Sequence, residues 1–250
     1  MKKPKLGQHL LNNPRVSEKV ADAAGVKKGT LVLEVGPGKG ALTEVLLARG
    51  AHVIAVEKDP GMIAFLKERF SEELGTRNLE LISADARDFL ESRNQERGTT
   101  PYVVAANIPY YITGELIRTF LTANNQPASV ALLVQKEVAD RIARSKKESI
   151  LSLSVKVYGT PKYVDTVKRG NFNPPPNVDS AILAITNISR DNFKTISEDR
   201  FFEIVKAGFA QKRKTLAGNL TRALGHDFGV PKNIRAEDVP LEMWLDLARR

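Results

Sequence analysis

The sequence predicts an α/β protein: a doubly wound, mostly parallel sheet followed by a small α-helical domain. Three observations carry this prediction. Short runs rich in Val, Leu and Ile alternate with segments of helical period between residues 31 and 134. The first of these units turns on a cluster of glycines, and the next ones end on an acid or an amide. From about Ser197 onward the apolar period is helical only. Strand and helix alternating at this pitch imply parallel strands covered on both faces.

Each element follows in order. Residues 1–28 read as a basic arm and then a helix, with Pro14 near its start and Val16, Val20 and Ala24 four apart. Leu31-Val32-Leu33-Glu34-Val35 reads as a buried strand ending in glycines, and the helical run Ala41 to Ala48 stops at Gly50. His52 to Val56 is the next strand, ending at Glu57, and Pro60 to Phe70 the next helix. Leu79 to Ile82 is a strand before Asp85, Tyr102 to Ala106 a strand before Asn107, and Val130 to Val134 a fifth. Past residue 150 the spacing shortens. Leu151 to Tyr158, Tyr163 to Lys168 and Ala181 to Ile185 are predicted as strands, with Gly159-Thr160-Pro161 a hairpin turn between the first two. Phe201, Phe202, Val205, Phe209, Leu216 and Leu220 then recur at helical spacing. The polar stretch from Asn187 to Asn192 reads as a linker, dividing a domain of residues 1–190 from a helical one of residues 191–250.

Composition narrows the function classes. With 42% hydrophobic and 27% charged residues over 250 positions, the chain can bury a core and remain soluble. No apolar run approaches the roughly 20 residues a bilayer span needs, and no apolar segment follows the basic start Met1-Lys2-Lys3-Pro4-Lys5. There is no cysteine, which removes disulfides, thiolate catalysis and cysteine-ligated metals and agrees with a reducing compartment. A cytoplasmic protein without a metal is the expectation. The net charge of +9 would concentrate a polyanion near the surface; a basic protein with no such partner is the alternative.

The candidate ligand residues share one place in successive units. Gly36-Pro37-Gly38-Lys39-Gly40 lies where a strand gives way to a helix, and glycines there let the backbone turn sharply and approach a ligand. Glu57, at the end of the next strand, can accept both hydroxyl hydrogens of a ribose. Asp85 ends the third strand, where a carboxylate can accept from an adenine amine or cap the following helix. Ligands in open α/β sheets bind beyond the carboxyl ends of the strands, where Gly36, Gly38, Glu57, Asp85 and Asn107 would converge. The alternative is a structural turn with surface acids. Matched positions in successive units favour nucleoside binding.

Asn107-Ile108-Pro109-Tyr110, after the fourth strand, resembles the Asn/Asp-Pro-Pro-Tyr/Phe motif of the amino-methyltransferases. An aryl amine is a weak nucleophile because its lone pair is delocalised into the ring. Acceptors on its hydrogens, by this resemblance the Asn107 side-chain oxygen and the Ile108 carbonyl, favour pyramidalisation and aim the lone pair. Pro109 stiffens the loop, and Tyr110 offers a stacking face typically worth about 1–3 kcal/mol.

Further motifs in the same order make the chain similar to the KsgA-type family of small-subunit ribosomal RNA adenine dimethyltransferases. Gly7-Gln8-His9-Leu10-Leu11 resembles the family's N-terminal signature, Asn107 to Thr113 its catalytic loop, Phe172 to Ser180 its Phe-x-Pro-x-Pro-Lys/Arg-Val-Asp-Ser segment, and Ala210 to Leu216 the opening of its C-terminal domain. The resemblance implies a Rossmann-like class I methyltransferase with a seven-stranded sheet and S-adenosylmethionine as cofactor, His9 and Leu11 touching it. It implies that Phe172 faces the target base opposite Tyr110, and that Lys212, Arg213 and Lys214 help hold the RNA. The implied substrate is two adjacent adenines in the 3′-terminal hairpin loop of small-subunit rRNA, within a pre-ribosomal 30S particle bound by a monomer. Tyr111 stands where the family usually has asparagine, Asn177 where it has a basic residue and Leu10 where it has an aromatic one; Tyr111 is expected to tighten the base pocket. Lys136, Arg141, Arg144, Lys146 and Lys147 form a second candidate RNA face, with a solvated surface the alternative for either cluster.

Two rivals use the same motifs. An erythromycin-resistance-type enzyme would share Asn-Ile-Pro-Tyr but act on large-subunit rRNA, and the Gln211 to Leu216 segment argues against it. A non-catalytic RNA-binding assembly factor would let Gly36, Glu57, Asp85 or Asn107 erode, and none has. A nicotinamide oxidoreductase is more distant, because the glycine spacing is wrong for it.

Overall fold

The computed structural model describes residues 9–95 and 100–250. A short strand β1 (Leu10–Leu11) leads into helix α1 (Pro14–Ala23), whose N-terminus is capped by the Asn13 side chain. Then follow β2 (Leu31–Val35), α2 (Ala41–Ala48), β3 (His52–Glu57), α3 (Pro60–Arg69), α4 (Ser71–Gly75), β4 (Leu79–Ser83), α5 (Ala86–Gln95) and β5 (Val103–Asn107). After a 3-10 turn at Tyr110–Ile112 come α6 (Thr113–Thr122), β6 (Ser129–Gln135), α7 (Lys136–Ala143), α8 (Ile150–Lys156), β7 (Thr160–Val167), β8 (Phe172–Asn173) and β9 (Ser180–Thr186). The C-terminal helices are α9 (Glu198–Gly208), α10 (Leu216–Leu224) and α11 (Leu241–Arg249).

Seven strands form one sheet in the order β4-β3-β2-β5-β6-β9-β7. β2 to β6 pair in parallel, and β9 alone runs against its neighbours β6 and β7. This is the mostly parallel seven-stranded sheet expected for a class I methyltransferase.

The strands are apolar at nearly every position because both faces are covered. Alternate residues of one strand enter different cores. Val103, Ala105, Ala131 and Leu133 join a cluster with α1, α2 and α3, through Val20, Leu46 and Leu66. Val104, Ala106, Leu132 and Val134 join a second cluster with α6, α7 and α8, through Phe120, Ile142 and Leu153. The second cluster continues without a break into the C-terminal helices through Phe201, Val205, Leu216 and Trp244. Burying a large apolar side chain contributes roughly 1.5–3 kcal/mol, so this shared core is the main force holding those helices to the sheet.

Residues 151–158 are not the expected strand but lie mostly in helix α8. Leu151, Leu153, Val155 and Val157 alternate with polar residues, a period that mimics a strand. The local capping decides otherwise: Ser149 accepts from the Ser152 amide and the Ser152 hydroxyl accepts from the Ser149 amide, a reciprocal pair that starts a helix. The Glu148 carboxylate reinforces it, accepting from Ser152 Oγ at 2.7 Å and from Lys156 Nζ at 2.5 Å. Gly159-Thr160-Pro161 is therefore a helix-to-strand link rather than a hairpin turn, with Thr160 already paired to Thr186.

The polar stretch after β9 is tied down by its side chains. Arg190 donates to Glu198 at 2.6 Å and to the Thr122 carbonyl at 2.8 Å, and the Phe193 ring lies 5.1 Å from that of Tyr158.

Candidate active site

The strand order reverses between β2 and β5: the chain leaves β2 for β3 on one side and returns to β5 on the other. A crevice opens at the carboxyl ends of two such strands, and the cavity here lies there. Among its lining residues are His9, Leu11, Gly36, Gly38, Glu57, Asp85, Asn107, Ile108, Pro109 and Tyr110. Ten of the residues proposed from sequence thus meet in one place.

The glycine loop makes room by geometry. Gly36 has a φ of 70° and donates its amide to the Val56 carbonyl at 2.9 Å; an added Cβ would sit 3.5 Å from the Asn107 carbonyl oxygen. Gly38 has a φ of 57°, and a Cβ there would meet the Leu10 side chain at 2.7 Å. The Gly38 amide donates to Glu57 Oε2 at 3.2 Å, while Oε1 accepts from the amides of Lys58 and Asp59 at 2.8 and 2.9 Å. Three backbone donors therefore fix a carboxylate that is only 4% exposed.

Asp85 is held by two cations. Arg87 donates through Nε and Nη2 to the two carboxylate oxygens, and Lys58 Nζ lies 2.9 Å from Oδ2. The Arg87 hydrogen bonds, then that of Lys58, hold its carboxyl well below the usual carboxylate range. The Arg87 amide also donates to Asp85 Oδ1 at 3.0 Å, the capping role open to Asp85 from its sequence position.

Glu34, in the middle of β2, also lines the cavity, and sequence reading passed over it. It is 1% exposed and accepts from the Thr43 hydroxyl at 2.7 Å. Burial pushes its carboxyl up to about 8, so it is protonated at neutral pH. The signal was present: one acid inside an otherwise apolar strand, two positions before Gly36.

The Asn107–Tyr110 loop is sewn to the N-terminal strand. β1 pairs antiparallel with β8, placing Leu10 opposite Asn173 and Leu11 opposite Phe172. The Asn107 Nδ2 donates to the His9 carbonyl at 3.0 Å, and Asn107 Oδ1 has no partner among the described residues. The His9 ring stacks on Tyr110, with centroids 5.8 Å apart, and its Nδ1 donates to the Pro174 carbonyl at 2.8 Å. The Tyr110 hydroxyl lies 2.6 Å from Ser180 Oγ, and Ser180 is fully buried. Burial raises the phenol above its ordinary range, so it stays neutral. Ser180 closes the Val178-Asp179-Ser180 motif, but only the structure shows that it aims the tyrosine.

The other residues singled out from sequence are placed differently. Phe172 is 3% exposed, lies opposite Leu11 across the β1–β8 pair and packs in the buried cluster with Val16. Tyr111 lines the cavity at its mouth and is 72% exposed. Gly7 and Gln8 lie outside the described residues. Lys212, Arg213 and Lys214 are exposed in the turn between α9 and α10 and make no ion pair among the described residues. In the second basic cluster, Lys136 and Arg144 pair with Asp140, Arg144 also lies 3.5 Å over the Tyr163 ring, and Lys147 pairs with Glu237. Most of that cluster is consumed inside the protein.

Glu34 gives a prediction. Between pH 4.5 and 8 the unfolded carboxyl is ionised and the folded one protonated, so this group makes stability fall with rising pH, by up to about 1.4 kcal/mol per unit. Glu34→Gln removes that component. Urea unfolding of both proteins from pH 5 to 8 should show the gap between them shifting steadily in favour of the variant, and parallel profiles would contradict the assignment.

Comparison with known proteins agrees with this geometry. Residues 1–250 match the family described as ribosomal RNA adenine dimethylase. A ribosomal RNA small subunit methyltransferase A of Dehalococcoides mccartyi (strain CBDB1) is 41% identical over 255 residues, covering 97% of this chain and 86% of the relative. One from Fusobacterium nucleatum is 36% identical, covering 99% of this chain and 96% of the relative. Among solved structures, a dimethyladenosine transferase from Plasmodium falciparum superposes with a TM-score of 0.78 at 29% identity, covering 96% of each chain. The 23S rRNA methyltransferase ErmE superposes at 0.73 and 27% identity, covering 96% of this chain and 98% of that one. A protein with this crevice, this asparagine loop and a match along its entire length belongs to the ribosomal RNA adenine dimethylase family.

Proposed function

We propose that this chain uses S-adenosylmethionine to dimethylate the N6 amines of two adjacent adenines in the 3′-terminal hairpin loop of small-subunit (16S) rRNA, acting as a monomer on a pre-ribosomal 30S particle during small-subunit assembly. The single observation that carries this reading is the Asn107 amide. Its nitrogen is spent on the His9 carbonyl, which leaves its oxygen as an acceptor beside the cavity.

The donor set suits the cofactor. Glu57, pinned by three amides, presents a carboxylate to ribose hydroxyls, and the ionised Asp85 can accept from an adenine amine. Gly36 and Gly38 keep the floor free of side chains, and His9 and Leu11 border the cavity from the β1 side. When bound, S-adenosylmethionine supplies a methyl group on a sulfonium, which needs no metal or base to make it electrophilic.

The protein's own work is to position and polarise the amine. Asn107 Oδ1 and the Ile108 carbonyl accept the two N6 hydrogens and turn the nitrogen lone pair toward the methyl carbon. Pro109 limits the loop's freedom, and Tyr110, locked by Ser180, gives the adenine ring a flat face. With the cofactor held by Glu57 and Asp85, its sulfonium would supply the methyl group to the amine nitrogen, and the resulting cationic nitrogen would lose its proton to water without a protein base. Holding reacting atoms about 3–3.5 Å apart and in line accounts for most of the acceleration such a site can provide. Phe172, held opposite Leu11 across the β1–β8 pair, is the ring that the family resemblance sets against the base on the side opposite Tyr110. The target adenine has to leave any stack to reach this pocket. Lys212, Arg213 and Lys214, on the helical segment of residues 191–250, contact RNA phosphates and set the salt dependence of binding.

A large-subunit target is the second reading, supported by the likeness to ErmE. The more similar relatives, at 36–41% identity, carry small-subunit names, which favours the first.

Asn107→Ala should lower kcat by at least a hundredfold, the usual effect of losing one preorganised polar group, while the cofactor Kd stays within a few-fold. Parallel loss of cofactor affinity would give Asn107 a binding role instead. Reversing Lys212 and Lys214 to glutamate should weaken RNA binding and flatten its dependence on salt, read from titrations at several salt concentrations. An unchanged slope would return both lysines to a merely solvated surface.

A further inference from the structure

We infer that Tyr111 is a stacking platform for the nucleotide next to the target adenine in single-stranded rRNA, an inference that rests on the function proposed above. Tyr111 is 72% exposed, far more than the other large apolar side chains on the described surface, of which Val178 follows at 43%. An open aromatic ring of this size at the rim of a cavity offers both faces to a partner.

Its surroundings favour a nucleotide. Tyr111 borders the cavity together with Lys58 and Arg87, whose side chains are 59% and 42% exposed. Both hold Asp85 on their inner side, but Arg87 uses only Nε and Nη2 for this, so Nη1 has no partner among the described residues. A solvent-facing aromatic flanked by two cations is the pattern that binds single-stranded nucleic acid, the ring taking a base and the cations its phosphates.

The chain geometry fits two successive bases. Tyr110 and Tyr111 open a 3-10 turn, where consecutive side chains diverge by about 120°. Tyr110 is turned inward by Ser180, so Tyr111 is directed away from the base pocket and toward whatever adjoins it. In a hairpin loop that is the neighbouring nucleotide, already unstacked when the target adenine is drawn out. The KsgA-type resemblance has asparagine at this position, so the platform is a feature of this chain. A lid over the cofactor's nucleoside is the competing role, and cofactor affinity separates the two.

The test uses the full-length protein, its Tyr111→Ala and Tyr111→Phe variants, and a hairpin RNA carrying 2-aminopurine beside the target adenine. Tyr111→Ala should raise the RNA KM roughly five- to 150-fold, the equivalent of about 1–3 kcal/mol of stacking, and abolish the quenching of 2-aminopurine on binding. Tyr111→Phe should stay within about twofold of the unmodified protein in both, and the cofactor Kd should be unchanged throughout. A raised cofactor Kd with an unmoved RNA KM would overturn the inference and make Tyr111 a cofactor lid. Unchanged values for every measurement would also overturn it. If the unmodified protein methylates the RNA and Tyr111→Ala matches it, only this inference fails; if the unmodified protein methylates no rRNA, the proposed function falls with it.

Discussion

Asn107 sits at the end of β5 with one hydrogen-bonding atom committed to the His9 carbonyl and the other left for a ligand. An amide is symmetric enough in shape to be flipped, and flipped it would present donors where an aryl amine needs an acceptor. The backbone carbonyl of His9 removes that choice. Its own position depends on β1, two residues long, whose pairing with β8 fastens the N-terminal segment across the crevice. The same segment puts the His9 ring against Tyr110 and the Leu10 side chain into the space a residue larger than glycine would fill at position 38. Orientation of the Asn107 amide, stacking of the tyrosine and the glycine requirement thus rest on one short strand pairing.

That pairing is useful only because the sheet brings its parts together. Reversal of strand order between β2 and β5 places the glycine loop, Glu57, Asp85 and Asn107 at one set of strand ends, although they are spread over some seventy residues of sequence. The two apolar clusters keep those strands from moving relative to one another, because alternate residues of each strand are anchored in opposite cores. The charges in the crevice are settled in advance as well: Asp85 is held ionised by Arg87 and Lys58, whereas burial keeps Glu34 protonated. A ligand would meet a fixed anion at Asp85, with no need for that group to change state.

Much of this was legible in the sequence, and the parts that were not have identifiable causes. Doubly buried parallel strands announce themselves as continuous apolar runs, so β2, β3, β5 and β6 could be read directly, together with the candidate site residues at their ends. α8 could not, because Leu151, Leu153, Val155 and Val157 alternate like a strand and the serine pair that starts the helix is visible only as a contact. Ser180 was part of a recognised motif, but its partner Tyr110 lies seventy residues away, and nothing local reveals the pairing. Phe172 is likewise legible as a motif residue, whereas its partner Leu11 across the β1–β8 register is not. Sequence likewise shows cations without their partners, so Lys136, Arg144 and Lys147 read as a surface patch until Asp140 and Glu237 were seen to hold them.

The central claim is that the acceptor at Asn107 directs methyl transfer to adenine in the small ribosomal subunit. The most direct test is to incubate the protein with labelled S-adenosylmethionine and unmethylated small or large subunits, and then analyse the nucleosides of each rRNA. The account predicts N6,N6-dimethyladenosine at two adjacent positions in the small-subunit rRNA and no label in the large subunit. Label in the large-subunit rRNA, or label in the small subunit on any nucleoside other than adenosine, would contradict it.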